Sequence, residues 1–124
     1  EKDDGGDVGL FLGLHVVANG SVAVFCGRKD SVTKLCRRAV DIFERGVPYA
    51  RPSVVSDAAE LEKIRHLSEA HLGALASATQ AAALGIFAHH ADTPPGLRLS
   101  IEHAMKEGLA KFVICTSTLA QGVN

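Results

Sequence analysis

Three short apolar runs set the limits on what this chain can fold into: Ser21-Val22-Ala23-Val24-Phe25-Cys26, Leu84-Gly85-Ile86-Phe87-Ala88, and Lys111 to Cys115. Each has the length of a strand, and each is almost continuously apolar rather than alternating, as expected of a strand covered on both faces. Strands of that kind pair in parallel, and parallel neighbours need long crossovers that carry the chain back along the sheet.

The intervening stretches can supply those crossovers. After the first run, Asp30 or Ser31 is placed to cap a helix whose apolar positions Val32, Leu35, Cys36, Ala39, Val40 and Phe43 share one face, with Gly46 and Pro48 ending it. Val47 to Ser56 reads as a loop. Asp57 with Glu60 then offers a capping box for a helix carrying Leu61, Ile64, Leu67, Leu72 and Leu75. Gly73 divides it from the alanine-rich run Ala74 to Ala83, so two helices are expected there. Thr93-Pro94-Pro95 opens a further helix with Leu97, Ile101, Ala104 and Met105 on one face, closed by Gly108. The order strand, helix, helical insert (about 47–83), strand, helix, strand predicts an α/β fold with a parallel sheet and right-handed crossovers.

At 124 residues the chain has room for one core, burying roughly two-thirds of its unfolded surface. Its 47% hydrophobic and 22% charged residues are ordinary for a globular domain, and no apolar run nears the roughly 20 residues of a spanning helix. The opening EKDDGGD is acidic and Gly-rich and has no signal-peptide pattern, so residues 1–20 read as a linker or a first short element. Cys26, Cys36 and Cys115 form no close pair and read as buried free thiols in a reducing compartment, which places the protein inside the cell, in the cytoplasm or a nucleus. Arg28 to Arg51 holds seven basic residues against three acids, either a solvated helix surface or a local basic face.

In open parallel sheets chemistry collects beyond the carboxyl ends of the strands, where loops and helix starts expose N–H groups. Polar clusters follow all three runs. Gly27-Arg28-Lys29 pairs backbone amides with two cations suited to a phosphate oxygen. His89-His90-Ala91-Asp92 follows the second run, with Arg98 beyond it. Adjacent strand-end histidines point to opposite faces and do not chelate one metal, so no metal site is expected. The third run leads into Thr116-Ser117-Thr118-Leu119-Ala120-Gln121-Gly122-Val123-Asn124.

The stretch HHADTPPGLRLSIEHAMKEGLAKFVICTSTLAQGVN resembles the superfamily 2 nucleic-acid helicases of DEAD/DEAH-box type, in the branch of the superkiller and Holliday-junction motors. Their pattern runs through a segment like HHAGL, an arginine, a helix ending in Gly, a strand and the motif V turn. VAVFCGRKDSVTKLCRRA is similar to the strand and helix of motif IV. The resemblance implies part of a second, C-terminal RecA-like domain over 21–124, its three-layer parallel sheet and flanking helices incomplete. It also implies that Thr116 hydrogen-bonds a backbone phosphate beside Ser117 and Thr118, that Arg98 faces the strand, and that His89 and His90 occupy the motif IVa position. Gly27 and Arg28 fall at motif IV, and Gly122 and Asn124 lie toward the nucleotide, coupling its state to strand grip. Asp92-Thr93 departs from the family's Gly-Leu and adds a carboxylate where phosphate approaches.

Such contacts bind phosphate without reading bases, in DNA or RNA alike. The resemblance implies ATP and Mg2+ as cofactors, bound mainly by a first RecA-like domain that would be the partner of this one. No G-x-x-x-x-G-K-[ST], no D-E-x-[DH] and no Q-x-x-G-R-x-G-R occurs here, so the chain is expected to be part of a longer motor, inactive alone in ATP hydrolysis and prone to self-associate. Two alternatives stay open: a non-catalytic nucleic-acid-binding module, and an unrelated α/β enzyme using Cys115 or His90.

Overall fold

The computed structural model of the chain describes residues 4–123. Strands β1 (Val22–Phe25), β2 (Ile86–His89) and β3 (Phe112–Cys115) form one parallel sheet in the order β1-β3-β2. Val22 and Ile86 both pair with Phe112, and Phe25 and His89 both pair with Cys115. The strands are therefore in step, and their carboxyl ends are level.

Helices cover both faces of β2 and β3, whereas β1, expected to be buried on both faces, is covered on one only: Val24 is buried, and Ala23 and Phe25 are exposed. On one side α1 (Asp4–Val16) and α2 (Lys29–Glu44) bring Leu10, Leu14, Val32, Leu35 and Phe43 against Val24, Ile86, Phe112 and Ile114. On the other, α3 (Ala58–Leu72), α4 (Ser77–Ala82) and α5 (Pro95–Lys106) bring Ile64, Ala82, Leu97 and Ile101 against Phe87, Val113 and Cys115. Alternate residues of β3 thus enter opposite cores, as the twofold period of a strand requires. This is the expected mixed α/β architecture, a parallel sheet flanked by helices, and it is consistent with a RecA-like fold.

Several boundaries differ from the sequence reading for local reasons. Helix α2 begins at Lys29, ahead of Asp30 and Ser31; Arg28 takes the cap position without a side-chain cap bond, and Asp30 lies in the first turn, where the helix dipole favours a carboxylate. The capping box of α3 is half made. The Asp57 carboxylate accepts from the Glu60 N–H at 2.9 Å, but the Asp57 N–H donates to Leu109 O at 2.8 Å and has nothing left for Glu60. Gly73, at φ 91°, divides α3 from α4 as expected, whereas Leu75 is 88% exposed in the connection rather than on an apolar face. The expected loop 47–56 contains a single 3₁₀ turn, Pro52–Val55.

Over 1–20, where a linker or first short element is expected, α1 packs along β1. Its glycines permit the approach: a Cβ on Gly13 would lie 2.8 Å from Val22 Cγ1 and 2.9 Å from Phe112 Cζ. After β3 the polar turn is short and leads into α6 (Thr118–Val123), whose Leu119 is buried.

Gly85 precedes β2 at φ 84°, and a Cβ there would lie 2.5 Å from the backbone nitrogen of Ser53. Gly46 has a similar φ of 75° with open space around it. Gly85→Ala is expected to cost roughly 2–4 kcal/mol, strain plus overlap, and Gly46→Ala only about 1 kcal/mol. Denaturant unfolding of the two variants checks the difference.

Candidate nucleic-acid interface

Because the strands are parallel and in step, the loops after β1, β2 and β3 leave from one rim of the sheet. Gly27 and Arg28 are exposed after β1, with Arg28 loosely paired to Asp30 at 3.5 Å. His90, Ala91 and Asp92 follow β2. Thr116, Ser117 and Thr118 follow β3, between the other two, because β3 is the central strand. The pairing continues past the strand ends: Cys26 N–H donates to Cys115 O at 2.7 Å and Thr116 N–H to His89 O at 3.1 Å. The rim thus brings Gly27, Arg28, His90, Arg98, Thr116, Ser117 and Thr118 to one side of the molecule.

His89 is placed differently. It is fully buried, and its Nε2 lies 2.6 Å from Oε2 of Glu102 on α5, so one of the two atoms carries the shared proton. Its Nδ1 has no hydrogen-bond partner. Its ring does not reach the rim surface; it ties β2 to α5 from beneath. The two histidines separate as expected of neighbours on a strand, and the buried one bonds a carboxylate. Sequence spacing carried one weak hint of that pair: Glu102 sits five residues beyond Leu97 and one beyond Ile101, beside the buried stripe.

The loop after β2 is held by a closed set of bonds. Thr93 Oγ1 accepts from the His90 N–H at 3.0 Å, His90 Nδ1 accepts from the Asp92 N–H at 3.1 Å, and Arg98 donates to Ala91 O at 3.1 Å. One Arg98 amino group is therefore spent on the loop, and the half-exposed guanidinium retains other donors. Asp92 forms an ion pair with Lys29, the first residue of α2. That pair links residues 63 apart and had no local signal in the sequence. Lys29 holds the Asp92 carboxyl below its ordinary range, and Asp92 in turn raises the Lys29 ammonium.

After β3, Thr116 Oγ1 and Thr118 Oγ1 share a hydrogen bond at 3.2 Å, and Ser117 is exposed. Gly122 lies within α6, and Asn124 lies outside the described residues. Two cavities that touch the rim are small, about 50 Å³ beside His90 and Asp92 and about 200 Å³ beside Cys26, Gly27 and Lys34. Both fall below the usual range of small-molecule pockets. Among the described residues no group of three His, Cys, Asp or Glu side chains is arranged to hold a metal ion.

Cys36 and Cys115 are buried free thiols as expected, whereas Cys26 is only half-buried. Cys115 is buried with its S–H toward Val24 O at 3.7 Å, and burial pushes it, like Cys36, up to about 12, so neither is a thiolate near neutral pH. Most of the basic run is also paired at the surface: Arg38 with Asp7 at 3.0 Å, Arg45 with Asp41 at 3.0 Å, and Arg51 over the Phe43 ring at 5.9 Å. The solvated-surface reading fits most of the run, and the rim cations Arg28 and Lys29 lie at its start.

No protein-family profile matches the chain. Over 42 residues, 34% of its length, it is 52% identical to the ATP-dependent DNA helicase Hel308 of Aeropyrum pernix. The match spans 6% of that helicase. The chain is thus similar to a helicase over one local stretch.

His90 accepts the Asp92 N–H only while Nδ1 is unprotonated. Burial lowers its pKa from the usual 6.5, opposed by the Asp92 charge and aided by His89 and Lys29. As pH falls, the unfolded imidazole takes its proton first, so the stability this group contributes is whole above 6.5 and is lost as pH drops from there toward the folded value. Thermal unfolding followed by circular dichroism between about pH 7 and about pH 5 should show a falling midpoint that flattens in His90→Asn, which keeps an acceptor without titrating. Equal slopes in both proteins would refute the assignment.

Proposed function

We propose that this chain contributes the strand-binding face of an ATP-dependent nucleic-acid helicase or translocase. The observation that carries the reading is the convergence of three polar strand ends on one level rim, in a chain locally similar to an ATP-dependent DNA helicase. The rim offers what a sliding contact needs: hydroxyls at Thr116, Ser117 and Thr118, exposed backbone at Gly27, cations at Arg28 and Arg98, and the imidazole of His90. These groups hold phosphate and sugar without reading base edges.

His89 serves the same face from below by fixing β2 against α5. Gly122 and Asn124 couple strand grip to the nucleotide, and ATP with Mg2+ sits mainly against a first RecA-like domain that faces this one. DNA, the substrate in the name of the similar helicase, is the first strand to test.

ATP hydrolysis by the intact protein is expected to rise on adding single-stranded DNA. Arg98→Ala combined with Thr116→Ala should cut that stimulation by about tenfold or more, the loss of two hydrogen bonds to a charged group. A coupled ATPase assay with and without strand reads this directly. Stimulation at the parental level in the double variant would overturn the site assignment.

A further inference from the structure

Lys29 opens α2 just past β1 and Asp92 lies in the loop after β2, and the central strand lies between these two outer strands. Their ion pair therefore spans the end of β3, where Thr116 leaves the sheet. Its two sides differ in stiffness. Asp92 sits on a loop fixed by His90, Thr93 and Arg98, whereas the Lys29 ammonium ends a flexible four-carbon stem.

Both side chains are half open to solvent, 56% and 60% exposed, so the pair is screened by salt. A contact that weak adds little to the fold. It does have a chemical consequence: a carboxylate on an ammonium occupies the position a phosphate oxygen would take.

We propose that Asp92 competes with nucleic-acid phosphate for Lys29, so that strand binding at the rim proceeds by exchange of the carboxylate for a phosphate. The proposal rests on the strand-binding reading above and adds two residues to it. Lys29 is a strand-contacting cation, and Asp92 sets how tightly the rim holds. In the free protein the carboxylate cancels one of the rim's positive charges. In the complex Lys29 swings to the strand, and Asp92 is left beside it as a repulsive charge that favours release.

The test uses the intact protein and a labelled oligo-dT strand, with binding measured by fluorescence anisotropy across a salt series. Asp92→Asn is expected to tighten binding by up to about fivefold at low salt, the equivalent of about 1 kcal/mol. It should also steepen the fall of log affinity with log salt by about 0.7, because no freed carboxylate recaptures the cation that the phosphate releases. Lys29→Gln is expected to weaken binding and to abolish the gain when combined with Asp92→Asn.

Glu107→Gln, at the far end of α5 from the rim, removes the same charge and is expected to change little. Asp92→Ala repeats the test without the amide, and thermal unfolding confirms that each variant is folded. Unchanged or weaker binding by both Asp92 variants, or an equal gain from Glu107→Gln, overturns the competition while leaving the strand-binding reading intact. Absence of strand binding by the parent protein overturns both.

Discussion

The structure depends on burying β3 on both faces while pairing it on both edges. Phe112, Val113, Ile114 and Cys115 are all fully buried, and every one of them has a partner in β1 and in β2. A strand so placed satisfies its backbone groups only through its neighbours and its side chains only through two helical layers. Parallel pairing then forces each connection to travel the length of the sheet and return to the same end. The shared rim is a geometric result of that one strand's burial, whatever the rim is used for.

The parts of the fold legible in the sequence are those where a local pattern and the tertiary demand agree. The three apolar runs were readable as strands because each is four or five residues long and bounded by turn residues, although only β2 and β3 are covered on both faces, while Ala23 and Phe25 of β1 are exposed. Helix α5 was readable because Pro95 starts it and Leu97, Ile101 and Ala104 keep its period. Helix α1 was not. Gly5, Gly6, Gly9 and Gly13 lower its intrinsic propensity, and what stabilises it is contact with Val22, Val24 and Phe112, residues a window of sequence does not include. Leu75 failed for the opposite reason: it continues an apolar pattern past Gly73, where the backbone has already left the helix.

The candidate site was legible in position and not in wiring. Placing polar clusters after Cys26, Ala88 and Cys115 needed only the strand assignments. The pairs that determine what each side chain can do, Lys29 with Asp92, His89 with Glu102 and Arg98 with Ala91 O, join residues whose spacing carries little or no periodic signal. Two histidines adjacent in sequence consequently have unlike fates, one sealed beneath α5 and one accepting a hydrogen bond from the loop it belongs to.

His89 is where these two levels meet. Its carbonyl accepts the Thr116 N–H, which sets the start of the turn after β3, and its ring meets Glu102, which sets the height of α5 and so of Arg98 one turn earlier on the same helix. Removing the ring while keeping the backbone would leave Glu102 without its partner in a largely buried position, and a carboxylate in that state draws in water or shifts its helix to recover a donor. Either response moves Arg98 relative to Thr116. A residue that touches no solvent thereby fixes the spacing between a guanidinium and a hydroxyl on the rim, which is why its burial makes it a positioning residue rather than a contact.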